Sequence, residues 1–294
     1  MALEVDGLPG QEAGIMSISV IILTFNSEDT IAATLQSVFR VSDDIHIVDS
    51  FSTDNTLDVT QRHGAIIVQH KFKNYGAQRN WAIDTLPLKY DWQLHLDADE
   101  RLSDSLAEEL NNLKSSFPGN VNGYYIPRLV HFLGRPIRHG GMFPIWHMRL
   151  FRNGVGRCEN RCYDQHFYVK GATRCLIHPM IDDHRMNLTE WTARHNRWAN
   201  AEVNELMFPN KEGVIEGRIQ GNPVEIKRSL RGFYYRMPLF IRPFILFFYR
   251  YVFRFGFLDG KEGLIFFVLQ TFWFRFLIDA KLFERRLRRV KTRR

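Results

Sequence analysis

The sequence predicts an α/β protein built on a doubly wound, mostly parallel sheet, and three observations carry that expectation. Apolar, β-branched runs alternate with helical patterns in a β-α-β-α-β-α-β rhythm. The first run is apolar without interruption, as suits a parallel strand covered on both faces. Thr24, Asn26, Asp49 and Asp97 fall at or just beyond the ends of such runs, where open α/β sheets place their ligand crevice.

The elements follow in order. Residues 17–23 (SISVIIL) form the first strand, which ends in Thr24-Phe25-Asn26-Ser27. From Glu28 to Phe39 the pattern becomes helical through Ile31, Leu35 and Phe39. Ile45-His46-Ile47-Val48 is a second strand ending at Asp49, and Ser52-Thr53-Asp54 supplies caps for a helix through Arg62. Residues 65–68 make a third, short strand. Asn74-Tyr75-Gly76 turns into a helix over 77–86. In Trp92-Gln93-Leu94-His95-Leu96 the apolar residues alternate with polar ones, a strand period, and Ser103 caps a helix over 103–113. From Gly123 to about His184 short alternating pieces and Gly/Arg/His-rich loops predict an antiparallel extension closing over the crevice. A Trp- and Asn-rich helix follows over 188–207, with Trp191, His195 and Trp198 on one face as a core stripe rather than a sugar platform.

The fourth strand ends in Asp97-Ala98-Asp99-Glu100. Carboxylates resist burial without solvent, a partner or a cation. Two aspartates on one turn offer hard oxygen ligands to Mg²⁺ or Mn²⁺, and a diphosphate can complete the shell. No Gly-x-Gly-x-x-Gly follows the first strand and no P-loop occurs, which argues against a dinucleotide site or a P-loop NTPase.

Charge divides the chain. The net +7 is the sum of +13 over residues 227–294 and −6 over the rest, and the same tail holds 19 of 40 aromatic residues. Three cysteines, Cys158, Cys162 and Cys175, and an N-terminus without an apolar core of signal-peptide type fit a reducing, cytoplasmic setting. Cys158 and Cys162 with His166 and His178 match no strong zinc spacing, so free thiols are expected.

Four segments in register carry a family resemblance: residues 18–26 (ISVIILTFN), the turn Asp49-Ser50-x-Ser52-x-Asp54, Gly76-Ala77-Gln78-Arg79-Asn80, and Asp97-Ala98-Asp99. Together they resemble family 2 glycosyltransferases, inverting enzymes of the GT-A fold, over roughly residues 17–200. The nearest likeness is to transferases of lipopolysaccharide core and other envelope glycans. The resemblance implies that Thr24 and Asn26 line the base and ribose pocket and that Asp49 accepts a hydrogen bond from the nucleotide. Phe25 replaces the family's usual Tyr, keeping a stacking face without the hydroxyl. Arg79 would pair with the diphosphate through its planar fork. Asp97 would touch the ribose or the metal shell, and Asp99 the metal itself. Loss of a nucleoside diphosphate from an anomeric carbon builds negative charge that a cation and Arg79 would offset.

Attack by the acceptor hydroxyl needs a carboxylate base. Relatives place an acid, often after a His, on a loop beyond the aspartate turn; this chain has Gln165 there, with Asp164 before it and His166 after. Asp164 is the first candidate. Asp182-Asp183-His184 is the second, with Asp183 as base and His184 as a metal or diphosphate ligand. A sugar nucleotidyltransferase and an inactive glycosyltransferase-like membrane scaffold are the alternative functions. The first normally needs a Gly-rich, basic loop after strand one, which is absent.

The chain thus divides into a flexible 1–16, a GT-A domain over 17–225 and a basic, aromatic helical segment over 226–294. In the last of these, arginines interrupt the aromatics, and the uncharged runs 243–249 and 263–274 fall short of the roughly 20 apolar residues of a bilayer span. Residues 284–294 hold seven basic side chains against one acid. That pattern predicts an interfacial segment on an anionic membrane, at the cytoplasmic face of the cell membrane, and the family resemblance implies a lipid-linked or envelope-glycan acceptor there. A helical hairpin packed on the body, or a contact in a homo-oligomer, is the other use of such a face. Nucleic acid is not expected, because long Phe and Leu runs offer nothing to a phosphate backbone.

Overall fold

In the computed structural model, which describes residues 18–115, 117–161, 164–183, 185–209 and 215–292, the expected strands and helices recur in the expected order. β1 (Ile18–Thr24), α1 (Ile31–Val38), β2 (Asp44–Asp49), α2 (Thr56–Arg62), β3 (Ile66–Gln69), α3 (Tyr75–Thr85) and β4 (Trp92–Asp97) make the first half. Every residue of β1 and β2 is buried, the mark of parallel strands covered on both faces. One core cluster joins β1, β2 and β4 to Ile31, Leu35 and Val38 of α1, and another lies on the opposite face under Ala82 of α3.

α3 starts earlier than its periodicity suggests because the Asn74 side chain accepts from the Ala77 N–H at 2.8 Å. After β4 come β5 (Glu100–Leu102), α4 (Asp104–Lys114), β6 (Gly123–Phe132), β7 (Arg135–Pro136), β8 (Ile145–Arg152), β9 (Gly156–Cys158), β10 (Phe167–Val169), β11 (Thr173–Cys175), β12 (Met180–Asp183) and α5 (Leu188–Met207). Ser103 caps α4 as expected.

The sheet order is β3-β2-β1-β4-β8-β6-β12-β5, with β7 and β11 also paired to β6. β1, β2, β3 and β4 are parallel, β8 runs antiparallel between β4 and β6, and β12 runs parallel to β6. The strand order reverses beside β1, so a crevice opens between the carboxyl ends of β1 and β4. This is the GT-A type of sheet expected. The region 123–183 differs from expectation in one respect. Instead of folding over the crevice, most of it widens the same sheet, because β8 and β6 continue the hydrogen-bond ladder from β4; only β9 and β10 form a separate pair.

The C-terminal segment comprises α6 (Pro223–Arg236), α7 (Arg242–Phe248), a π-helical turn Tyr249–Phe253, a 3-10 turn Gly256–Asp259, α8 (Gly260–Phe267), a second π-helical turn Val268–Trp273 and α9 (Phe274–Thr292). One face packs on the body. Phe266 and Phe267 join Phe132, Ile137, Met142 and Trp191, while Phe274, Ile278 and Leu282 join Ala199 and Val203 of α5. Buried ion pairs fix it: Arg242 with Asp279, and Glu202 of α5 with Arg231 at 2.9 Å and Arg275 at 3.1 Å. Trp191 and His195 are buried in this seam, as the core reading of that stripe anticipates.

The other face exposes Phe244, Phe248, Phe253, Phe255 and Phe257. Residues Gly256–Arg289 run as one helical stretch of 34 residues that is long and apolar enough to cross a membrane by length and composition alone, with 39% of its apolar window buried. Counting only uncharged runs misses this stretch, because Arg275 and Asp279 break its apolar middle while most of its eleven charged side chains lie toward its two ends.

Candidate active site

The strand ends converge as the sequence suggests. Thr24 and Asp49 are register partners on β1 and β2, and the Thr24 hydroxyl donates to Asp49 Oδ1 at 3.0 Å. Asp49 also accepts from the Ser52 hydroxyl (2.5 Å) and N–H (2.9 Å) and from the Gln69 amide (3.1 Å). Each carboxylate oxygen therefore has two donors, and the group knits the turn after β2. Asn26, in the left-handed region at φ 46°, accepts from the Thr53 N–H at 2.8 Å and donates its own N–H to the Ser52 hydroxyl at 2.9 Å. Phe25 and Phe51 stand exposed beside this pair of turns.

Asp97 is the centre of a four-membered network. Its Oδ1 accepts from Arg79 at 2.5 Å, its Oδ2 from Arg149 at 3.1 Å, and Arg149 also reaches Glu100 at 2.6 Å. The Asp97 N–H donates to Glu100 at 2.9 Å. Burial alone would raise the Asp97 carboxyl, but Arg79 and Arg149 outweigh it and bring it down to about 2. Glu100 goes the other way: burial lifts it to about 7 against the pull of Arg149, with Asp97 and Asp182 adding repulsion.

Arg79 lies beneath the turn rather than in the crevice. Only 3% of its side chain is exposed, and its fork is spent on Asp97 and the Leu96 carbonyl at 3.1 Å. Its other terminal nitrogen faces His95 Nδ1 at 3.4 Å. Burial and then Arg79 hold His95 far below its usual range, so the ring is neutral. The expected diphosphate contact of Arg79 is thus not what the geometry presents; the residue positions Asp97.

Asp99 is half-buried. The backbone on either side of it is held from two directions: Thr34 of α1 donates to the Ala98 carbonyl at 2.8 Å, and the Asp183 N–H to the Asp99 carbonyl at 3.0 Å. The second bond brings the end of β12 against the aspartate turn. There Asp183 pairs with Arg101 at 2.8 Å and Asp182 with Arg128 at 3.3 Å.

Arg194 of α5 was not singled out by sequence reasoning. Burial is the largest influence on it and lowers its proton affinity, with Asp99, Asp182 and Tyr75 opposing and Arg197 adding to the fall. Its Nε and one terminal nitrogen are buried without a hydrogen-bond partner among the described residues, while the guanidinium lies 4.8 Å from the Trp198 ring centroid. The available signal was an arginine one turn before Trp198 on the same helix.

Asp164 is remote in character from a proton acceptor. Lys227 (3.0 Å), Arg231 (2.7 Å) and His166 (3.2 Å) hold its carboxylate, and Arg228 donates to its carbonyl at 2.8 Å. Burial would raise it, but Lys227, His166 and Arg231 together keep it well below the carboxylate range. It anchors α6 to the loop after β9, and this low proton affinity argues against it as base.

Cys158 and Cys175 are free thiols. Residues 1–16, Cys162, Tyr163, His184 and the terminal basic side chains from 290 onward lie outside the described residues. Among the described residues no three His, Cys, Asp or Glu side chains converge as a metal cage.

Residues 19–153 match the model of the Glycosyl transferase family 2 domain. An uncharacterized glycosyltransferase of Rickettsia conorii is 35% identical over 99 residues, 34% of each chain. The lipopolysaccharide core biosynthesis glycosyltransferase LpsC of Rhizobium meliloti is 26% identical over 149 residues, 49% of this chain and 54% of that one. The match therefore spans about a third of the Rickettsia relative and about half of LpsC. Among solved structures, Staphylococcus aureus TarS in complex with UDP-GlcNAc aligns over 92% of both chains at 13% identity and a TM-score of 0.47.

Proposed function

We propose that this protein, whose residues 19–153 form a glycosyltransferase family 2 domain, moves a sugar from a nucleotide-sugar to an acceptor hydroxyl with inversion, in the crevice between the ends of β1 and β4. The observation that carries the reading is Arg194: two buried N–H groups without partners among the described residues, on a guanidinium whose charge is favoured by Asp99, just beyond the end of β4. Buried donors of this kind call for an acceptor, and a diphosphate supplies several.

In this reading the turns around Thr24, Asn26 and Asp49 hold the base and ribose, the donor being UDP-linked on the family resemblance. Asp49 accepts from the base when the Gln69 amide gives way. Arg194 takes the diphosphate role first expected of Arg79. Asp99, with Asp97 behind it, would hold Mg²⁺ or Mn²⁺. A site with few protein carboxylates suits Mg²⁺, which keeps waters and substrate phosphates as its other ligands. Such an ion offsets charge on the departing diphosphate. Asp183 is the base, since it lies against the aspartate turn while Asp164 is committed to cations.

The acceptor is read as a lipid-linked or envelope glycan, in line with the name of LpsC. The exposed aromatic and basic face of the segment from about 226 onward then rests on the cytoplasmic face of the membrane as a peripheral anchor. Calorimetry of UDP with Mn²⁺ tests the core of this reading. Arg194→Ala should weaken UDP binding by tenfold or more, on the order of 1.5–3 kcal/mol for charged hydrogen bonds. Unchanged binding would remove the residue from the site.

A further inference from the structure

Several buried or half-buried arginines of the C-terminal segment have carboxylates: Arg228 meets Glu159 at 2.7 Å, Arg231 meets Asp164, Arg242 meets Asp279 and Arg275 meets Glu202. Half-buried Arg250 differs. It makes no ion pair among the described residues, and its recorded hydrogen bond goes to the Met142 thioether, a weak acceptor. The charged groups that face it are Arg275 and Arg254, with only the Tyr249 hydroxyl opposing them. Burial first, and then these cations, bring its proton affinity down to about 10. A half-buried cation beside other cations gains when an anion joins it.

The surroundings say where that anion comes from. Arg250 sits on the π-helical turn Tyr249–Phe253, and exposed Arg254 follows it. The Arg254 guanidinium lies over the Gly140-Gly141 turn, where a Cβ on Gly141 would come within 3.7 Å of it, and its carbonyl accepts from the Gly140 N–H at 2.8 Å. Phe248, Val252, Phe253, Phe255 and Phe257 around it are exposed. The site lies at the edge where β6 ends, the same edge as the aspartate turn, since β6 and β4 both run antiparallel to β8. A phosphate ringed by apolar groups is the chemistry of a lipid headgroup at the membrane interface.

The geometry points to a seat for a lipid-borne phosphomonoester, formed by Arg250 and Arg254 against the Gly140-Gly141 turn, and distinct from the diphosphate site. Two guanidinium forks match the two charges of a monoester. The inference rests on the membrane-surface reading above and adds a headgroup preference to it.

Vesicle sedimentation tests it, with phosphatidylcholine vesicles carrying either phosphatidic acid or phosphatidylglycerol at equal surface charge. The wild type should prefer phosphatidic acid, and Arg250→Gln with Arg254→Gln should lose about 25-fold on it, about fivefold for each arginine. Arg236→Gln with Arg286→Gln, which removes the same charge from exposed positions, should weaken both lipids alike. Arg254→Gln alone, at an exposed residue, covers the case in which the double variant does not fold, and should lose about fivefold on phosphatidic acid and less on phosphatidylglycerol. Equal wild-type binding to both lipids overturns the seat and leaves the membrane reading standing. So does a seat variant that loses as much on phosphatidylglycerol as on phosphatidic acid. Displacement by inorganic phosphate at matched phosphorus overturns the lipid source. No binding to either vesicle by protein that still binds UDP overturns the membrane reading and the seat together.

Discussion

Arg79 donates to Asp97 Oδ1 at 2.5 Å from a side chain that is only 3% exposed, so the first aspartate of the turn is oriented from below by a buried cation. Arg79→Ala leaves that carboxylate with Arg149 alone and opens a cavity under β4. Breaking a buried pair by removing one partner costs about 3–5 kcal/mol, and urea unfolding should register a loss of that order. Arg79→Lys has one nitrogen in place of the fork, loses the one that faces His95, and should recover only part of it.

The two acids first considered as base should separate by kinetics. Asp183→Asn should lower kcat by roughly 10²–10⁴ while UDP binding measured by calorimetry stays near wild type. Asp164→Asn should retain turnover per folded molecule and lose stability instead, because Lys227, Arg231 and His166 lose their anion. The reverse pattern would return the base to the loop after β9.

Acid and neutral stability should be governed by different carboxyls. Asp164 is depressed in the folded state, so its contribution is complete above its ordinary value of 3.8 and disappears as pH falls below that toward the folded value. Glu100 is raised to about 7 from 4.5, so the folded chain holds its proton more tightly and stability declines as pH rises from 4.5 through about 7. Unfolding followed across this range should lose its acid slope in Asp164→Asn and its slope between 4.5 and 7 in Glu100→Gln.

Gly76, early in α3, touches the strand β9 region so closely that an added Cβ would stand 2.3 Å from the Glu159 carbonyl oxygen. Backbone cannot yield there as a side chain can. Gly76→Ala should destabilise by about 1–3 kcal/mol despite the better helix propensity of alanine, as overpacking does. A melting temperature equal to wild type would contradict the tight α3–β9 packing.

Much of the scaffold was legible because parallel strands covered on both faces leave a plain signal: Ile18–Leu23 and Ile45–Val48 are apolar runs that nothing else explains. The positions of Thr24, Asp49, Asp97 and Asp99 followed from those strand ends. What the sequence did not disclose was partnership across long separations. Arg79 reads as a free fork until β4 is seen to place Asp97 over it. Asp164 reads as an available acid until α6, some 60 residues on, supplies Lys227 and Arg231. Arg194 gave no motif, because its distinction is two buried nitrogens without a hydrogen-bond partner among the described residues.

The most direct test of the account is calorimetric titration of UDP in the presence and absence of Mn²⁺, on wild type and Asp99→Ala. The account predicts wild-type binding that strengthens at least tenfold with Mn²⁺, on the order of 1.4 kcal/mol, and no metal enhancement in the variant. Metal-independent UDP binding that is identical in both proteins would contradict it.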